Sequence, residues 1–214
     1  MFAAELPPEH DDPLGPLMTQ LRQRQWGVLD GWLPDDALRA LRADLLRLRL
    51  AARFRPAGVG RGASFRLAPE IRSDFVHWMD PAALSPPQQA LWAAFEQLRV
   101  RLNRTFFLGL RRFEGHLTVY PQGAHYQKHV DQFADAVHRR VSCILYLNRV
   151  WSLADGGALR VYDPLATDTP VADLPPLWGR MVVFFSDTVP HEVLTTHRHR
   201  LSATGWFRDD DAPL

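Results

Sequence analysis

After Phe106 the chain loses helical periodicity and breaks into short runs at 114–120, 140–148, 157–163, 180–185 and 200–207. These runs are rich in β-branched and aromatic residues, and Gly, Pro and Asp separate them. Short strands with no helical pattern between them imply a sandwich or a barrel rather than an α/β sheet. The fold class that follows is mainly β with flanking helices.

The front half supplies the helices. A helix is expected to start near Asp35 behind an aspartate cap and run to about Phe54, with Leu38, Leu41, Leu45, Leu46 and Leu48 as its apolar stripe. Residues 86–105 form a second amphipathic helix, with Leu91, Phe95, Leu98 and Leu102 on one face. Gly27–Asp30 and Phe75–Met79 read as short strands, and residues 1–16, rich in proline and acid, as a loose tail. The Arg55–Asp74 segment carries glycines at 58, 60 and 62. With no buried strand before them and no helix start after, a phosphate loop is disfavoured against a mobile loop or a surface connection.

Composition narrows the function classes. A formal net charge of +1 gives no broad electrostatic case for nucleic acid. Lys128 is the only lysine, and the Arg, Ala, Leu and Pro bias suggests a GC-rich bacterial genome. Cys143 stands alone, so no internal disulfide can form. No apolar stretch reaches the length of a membrane span and residues 1–15 lack the features of a signal peptide, so a soluble cytoplasmic protein is expected.

The chemistry concentrates in Tyr120–Asp131 and in Pro190-His191-Glu192-Val193. His129 and Asp131, two residues apart, are expected to project from the same face of a strand toward one ion. A distant histidine, His191, would complete two imidazoles and a carboxylate on one side of a metal, the ligand set of non-haem Fe(II) oxygenases. Zinc hydrolases can use the same set, so the triad alone leaves the metal open. The remaining histidines, including His10, His77, His116, His125, His138, His197 and His199, read as surface or hydrogen-bonded residues.

Arg200 follows His191 by nine positions. Alternation along 200–207 puts Arg200, Ser202, Thr204 and Trp206 on one face and Leu201, Ala203 and Phe207 on the other. An arginine turned into a barrel is costly without an anion, and its planar fork matches a carboxylate. Ile144 and Tyr146 share a face of the 140–148 run, where Tyr146 could offer its hydroxyl to the same anion. A sheet-edge pairing of Arg200 with a surface aspartate is the competing reading.

These blocks together resemble the prolyl-4-hydroxylase branch of the 2-oxoglutarate/Fe(II) dioxygenases, which includes the oxygen-sensing prolyl hydroxylases and their bacterial relatives. The matching motifs are Tyr120-Pro with Gly123, Tyr126-Gln-Lys-His129-Val-Asp131, Cys143-Ile-Leu-Tyr146-Leu-Asn148 and Gly156-Gly157-Ala-Leu159-Arg160. Phe184-Phe-Ser-Asp187, Pro190-His191-Glu-Val193 and Arg200 to Trp206 continue the match, and Ile71-Arg72-Ser73-Asp74 resembles an Ile-Arg-Gly-Asp motif with serine in place of glycine.

The resemblance implies a double-stranded β-helix (jelly-roll or cupin-like) over 113–208, a support region over 17–112, and helices packed outside, all in one domain. It implies Fe(II) on His129, Asp131 and His191, and 2-oxoglutarate held by Arg200 with Tyr146. Tyr120, Ile144, Leu159, Val193, Thr204 and Trp206 would line the cosubstrate pocket. O2 would be the oxidant and ascorbate an accessory small molecule. The product would be a prolyl residue of a protein hydroxylated at C4, with succinate and CO2 released. Arg55–Asp74 would be the substrate-covering loop, and a translation factor or ribosomal protein the target.

Other readings remain at this point. A nucleic-acid dealkylating oxygenase typically carries a second arginine six positions after the first, where this chain has Trp206. A small-molecule or free amino-acid hydroxylase would show the same triad and Arg200. A non-enzymatic jelly-roll module would be expected to have lost a ligand or the arginine, and a cupin-like zinc or manganese enzyme would leave Arg200 and Tyr146 without a purpose.

Overall fold

The computed structural model describes residues 12–60, 65–132 and 136–211. In chain order the elements are α1 (Gly15–Arg24), β1 (Trp26–Leu29), α2 (Asp35–Leu50), β2 (Arg55–Pro56), β3 (Phe75–Trp78) and α3 (Pro86–Phe106). Then come β4 (Arg112–Tyr120), β5 (Tyr126–His129), β6 (Arg139–Tyr146), β7 (Leu159–Tyr162), β8 (Pro170–Leu174), β9 (Met181–Phe185), β10 (His191–Val193) and β11 (Arg200–Arg208). Seven strands form one sheet in the order β1-β9-β6-β11-β4-β3-β2, and four form a second in the order β5-β10-β7-β8. The pairings within both sheets are antiparallel. This is the cupin-like double-stranded β-helix with helices outside it. Among the described residues, no helix is long and apolar enough to cross a membrane.

Alternation along the long central strands divides the interior in two. Leu201, Ala203 and Phe207 of β11 join Leu117, Val119, Val141, Cys143 and Leu145 in a core closed by Leu38, Leu41, Leu45, Leu91, Phe95 and Leu98 of the helices. Phe113 is its hub, with ring centroids 4.8 Å from Phe95 and 5.3 Å from Phe207. Room for that ring comes from Gly115 and Gly205, paired across β4 and β11, since a Cβ on either would run into Phe113. The opposite face packs Tyr120, Ile144, Tyr146, Val182 and Phe184 against Leu159, Val161 and Val193 of the four-stranded sheet. The site lies between the sheets, on this second face.

The helices meet through one buried carboxylate. Asp44 of α2 accepts Ser85 Oγ and Gln88 Nε2, both at 2.8 Å, at the start of α3, and Arg47 Nη2 at 2.6 Å. Burial alone would raise the Asp44 carboxyl, yet these donors hold it below its ordinary value.

Several sequence expectations shift. The stretch read as a loose tail already enters α1 at Gly15, with Leu14 buried beneath it, while residues 1–11 lie outside the described part. A proline at the first turn of α1 suits a helix start, where its missing N–H would have no partner. In α2 the cap position is Pro34, with Asp35 and Asp36 inside the first turn, and the helix closes at Leu50 rather than Phe54. Leu46 is only half-buried. In the Arg55–Asp74 segment, residues 61–64 lie outside the described part, and Val59 and Arg66 pair as an isolated antiparallel bridge.

Candidate active site

His129 and His191 stand directly opposite each other where β5 pairs with β10. Asp131 is not on that strand, as the spacing had suggested. β5 ends at His129, and the chain bends across toward the seven-stranded sheet, where Gln132 N–H donates to Ser186 O at 2.9 Å. The bend turns the Asp131 carboxylate inward, where Oδ2 accepts Ser142 Oγ at 2.7 Å. One ligand atom from each of His129, Asp131 and His191 falls within 4.8 Å of the others.

Hydrogen bonding orients both imidazoles. His129 Nδ1 lies 2.7 Å from Gln127 O and His191 Nδ1 3.1 Å from Val189 O. A carbonyl can only accept, which puts a proton on each Nδ1 and turns each Nε2 toward the third ligand. Those nitrogens face Asp131, at 3.4 Å from Oδ1 and 3.8 Å from Oδ2. Burial would raise the Asp131 carboxyl, but His191, His129 and Ser142 hold it well below the usual carboxylate range. Burial, then the neighbouring His129, brings His191 down to about 4. Two imidazole nitrogens and an ionised carboxylate converge, and that donor set fits a divalent ion.

Arg200 is 1% exposed and lies at the other end of the same face. Its Nε donates to Gly157 O at 2.9 Å and its Nη2 to Tyr146 OH at 3.2 Å. The guanidinium carbon sits 4.9 Å from the Tyr120 ring centroid and 4.8 Å from that of Tyr146. Gly157, at φ +64°, permits this approach, since a Cβ there would lie 3.2 Å from Arg200 Cδ and 2.9 Å from Thr196 Oγ1. Among the described residues no carboxylate pairs with Arg200, which overturns the sheet-edge reading. A buried cation with only neutral partners is costly, and a ligand carboxylate would relieve it. Burial also raises the Tyr146 hydroxyl above its ordinary value, against the pull of Arg200, so it stays protonated.

Most of the other expected lining residues are placed around this end. Tyr120, Ile144, Tyr146, Leu159 and Val193 share one apolar cluster. Thr204 sits on β11 opposite Ile144, and Trp206 opposite Ser142, the partner of Asp131. Six residues along a strand span about 20 Å, so Trp206 belongs to the metal-ligand end rather than the Arg200 end.

There it meets residues the sequence reading passed over. Arg139 lies over its ring at 3.6 Å, and the rings of His116 and Trp78 stand 5.4 and 6.0 Å away. Arg139 is fixed by Glu114 at 2.7 Å, which also takes Arg208 at 3.1 Å. Of the two readings, surface or hydrogen-bonded, His116 takes the second: it is buried and bonded to Thr118 Oγ1 at 2.8 Å. Burial, with Arg72 and Arg139 nearby, lowers it to about 3 and keeps it neutral. Counting back in twos from Tyr120 gives Thr118, His116 and Glu114, a signal that could have placed His116 on this face.

Comparisons agree with this geometry. A family model described as the 2OG-Fe(II) oxygenase superfamily matches residues 115–208. The chain is similar to the hypoxia-inducible factor prolyl hydroxylase of Caenorhabditis elegans, 31% identical over 209 residues, covering 90% of this chain and 28% of that protein. It thus spans little more than a quarter of that relative's length. A Pseudomonas putida prolyl-4-hydroxylase crystal structure superposes with a TM-score of 0.80 at 39% identity, over 91% of this chain and 97% of that one. A prolyl hydroxylase of Trichoplax adhaerens, solved with a hypoxia inducible factor oxygen degradation domain peptide fragment, gives a TM-score of 0.79 at 24% identity, over 91% and 88% of the two chains.

Proposed function

Since the chain belongs to the 2OG-Fe(II) oxygenase superfamily, on its prolyl hydroxylase branch, we propose that it hydroxylates a prolyl residue of a protein at C4, with Fe(II), 2-oxoglutarate and O2. The observation that carries the reading is one barrel face with two complementary ends. A triad fit for a divalent ion lies at one end, and the buried Arg200, lacking an anion among the described residues, lies at the other. A dicarboxylate with a metal-binding 2-oxo acid at its head satisfies both.

His129, Asp131 and His191 would hold the iron, which when bound supplies the chemistry that couples decarboxylation of 2-oxoglutarate to succinate and CO2 with hydroxylation of a C–H bond. Arg200 holds the far carboxylate of the cosubstrate, with the Tyr146 hydroxyl as a second donor. Tyr120, Ile144, Leu159 and Val193 surround the chain of the cosubstrate and exclude water, and Thr204 stands between the two ends. Ser142 keeps Asp131 turned inward. Trp78, 47% exposed beside Trp206, offers an aromatic surface of the kind that proline-containing segments dock on. The unpaired, buried Cys143 suits a reducing compartment such as the cytoplasm.

Two experiments test this. Asp131→Ala in a chain that still folds is expected to abolish 2-oxoglutarate turnover, and near-normal turnover would sink the assignment. Incubating lysate proteins with the Fe(II)-loaded chain, 2-oxoglutarate and 18O2 is expected to give a labelled hydroxyproline by mass spectrometry. Label only on another residue type, or turnover that needs only free amino acids, would overturn the protein-prolyl substrate.

A further inference from the structure

His129 lies on a strand whose register is broken. Between His191 and Val193, β10 advances two residues while β5 advances three, from His129 to Tyr126. In a regular strand residues three apart point to opposite faces, whereas an extra residue in one strand re-aims its neighbours. Here the rings of Tyr126 and His129 stack face to face, centroids 3.6 Å apart and planes 17° from parallel. Arg72 lies over the Tyr126 ring, its guanidinium carbon 4.3 Å from the centroid.

Arg72 is itself fixed in place. Its Nε and Nη2 donate to the two oxygens of the buried Asp74 at 2.8 and 2.7 Å. Its backbone pairs with Tyr126 as an isolated bridge, and flanking bonds run from Gln127 N to Ile71 O at 2.9 Å and from Ser73 N to His125 O at 3.1 Å. The 71–74 segment thus grips β5 by backbone and by side chain.

We propose that Arg72 and Tyr126 are positioning residues for His129, a guanidinium–phenol–imidazole stack that sets the tilt of the first metal ligand. The hydrogen bond to Gln127 O fixes which ring nitrogen faces the ion, and the stack fixes the plane in which it does so. This rests on the triad being the metal site.

The test uses the full chain with Co(II) alone as probe, read by calorimetric affinity and by the visible absorption bands of the bound ion, with thermal unfolding as the control for folding. Tyr126→Leu is expected to shift those bands and weaken Co(II) binding by roughly 10–100-fold, the usual cost of losing support behind a ligand. Tyr126→Phe keeps the ring and should restore the parent's affinity and bands. Arg72→Lys keeps a charge for Asp74 but loses the planar face, so it should shift the bands in the same direction as Tyr126→Leu. It carries the test if Tyr126→Leu does not fold. Folded variants with the parent's affinity and bands overturn the stack, and so does a Tyr126→Phe protein as impaired as Tyr126→Leu. A parent chain that binds no Co(II), or binds it equally well as Asp131→Ala, overturns the metal-site reading instead.

Discussion

On the helix-covered face of the seven-stranded sheet, Leu201, Ala203 and Phe207 pack among leucines and phenylalanines. One residue along the same strand, Arg200, Ser202, Thr204 and Trp206 turn to the other side, where they meet hydroxyls, imidazoles and charged groups. The first face is accounted for by volume and area removed from water. The second is not, because a buried arginine without an anion among the described residues costs stability until something binds. One strand therefore carries both the folding energy of the domain and the residues that spend part of it.

The contrast can be broken by four measurements. Phe207→Ala should cost about 3–5 kcal/mol in urea unfolding, and a loss under about 1 kcal/mol would mean the helix side is not the stabilising core. Arg200→Leu should leave unfolding stability unchanged or raised while removing about 2–5 kcal/mol of 2-oxoglutarate affinity by calorimetry. A destabilised variant that binds normally would reverse the assignment of the faces. Ser142→Ala frees the Asp131 carboxylate on one side and should weaken metal binding by roughly 10–100-fold with little change in melting, whereas unchanged metal affinity would show that Asp131 needs no second support.

The smallest effect belongs to the helix side. The Asp44 carboxyl is held below its ordinary value in the folded state, so its contribution is present above the unfolded pKa near 4 and is lost as pH falls. The stability gap between the parent and Asp44→Asn, about 1–2 kcal/mol at neutral pH, should close below about pH 4. A gap that stays constant from pH 7 to pH 3, read by urea titration, would show that Asp44 acts through shape alone.

The faces differed in how far the sequence revealed them. Alternation in 200–207 separated Arg200 from Leu201 correctly, because a long central strand buried on both sides repeats its pattern enough times to be read. The helical stripes of α2 and α3 were legible for the same reason. β8 and β10, at five and three residues, are too short to show a period, and α1 hides behind Gly15-Pro16. The placement of Asp131 depends on a bend that no periodicity encodes, and the contact of Tyr126 with His129 on a bulge. The roles of Trp78 and Arg139 depend on long-range packing around Trp206 and were not visible along the chain.

The hydrogen bonds at the two ligand histidines have a consequence for descent. Each Nδ1 is engaged by a carbonyl two residues upstream, Gln127 O for His129 and Val189 O for His191. The choice of ring nitrogen that faces the ion is set by a main-chain atom in the same tripeptide, so side-chain divergence elsewhere in the barrel leaves that choice intact. Asp131 relies on a hydroxyl eleven residues away, on another strand. Which nitrogen each histidine presents is therefore inherited with the local backbone, whereas the Asp131 carboxylate can be turned by a single substitution on a distant strand.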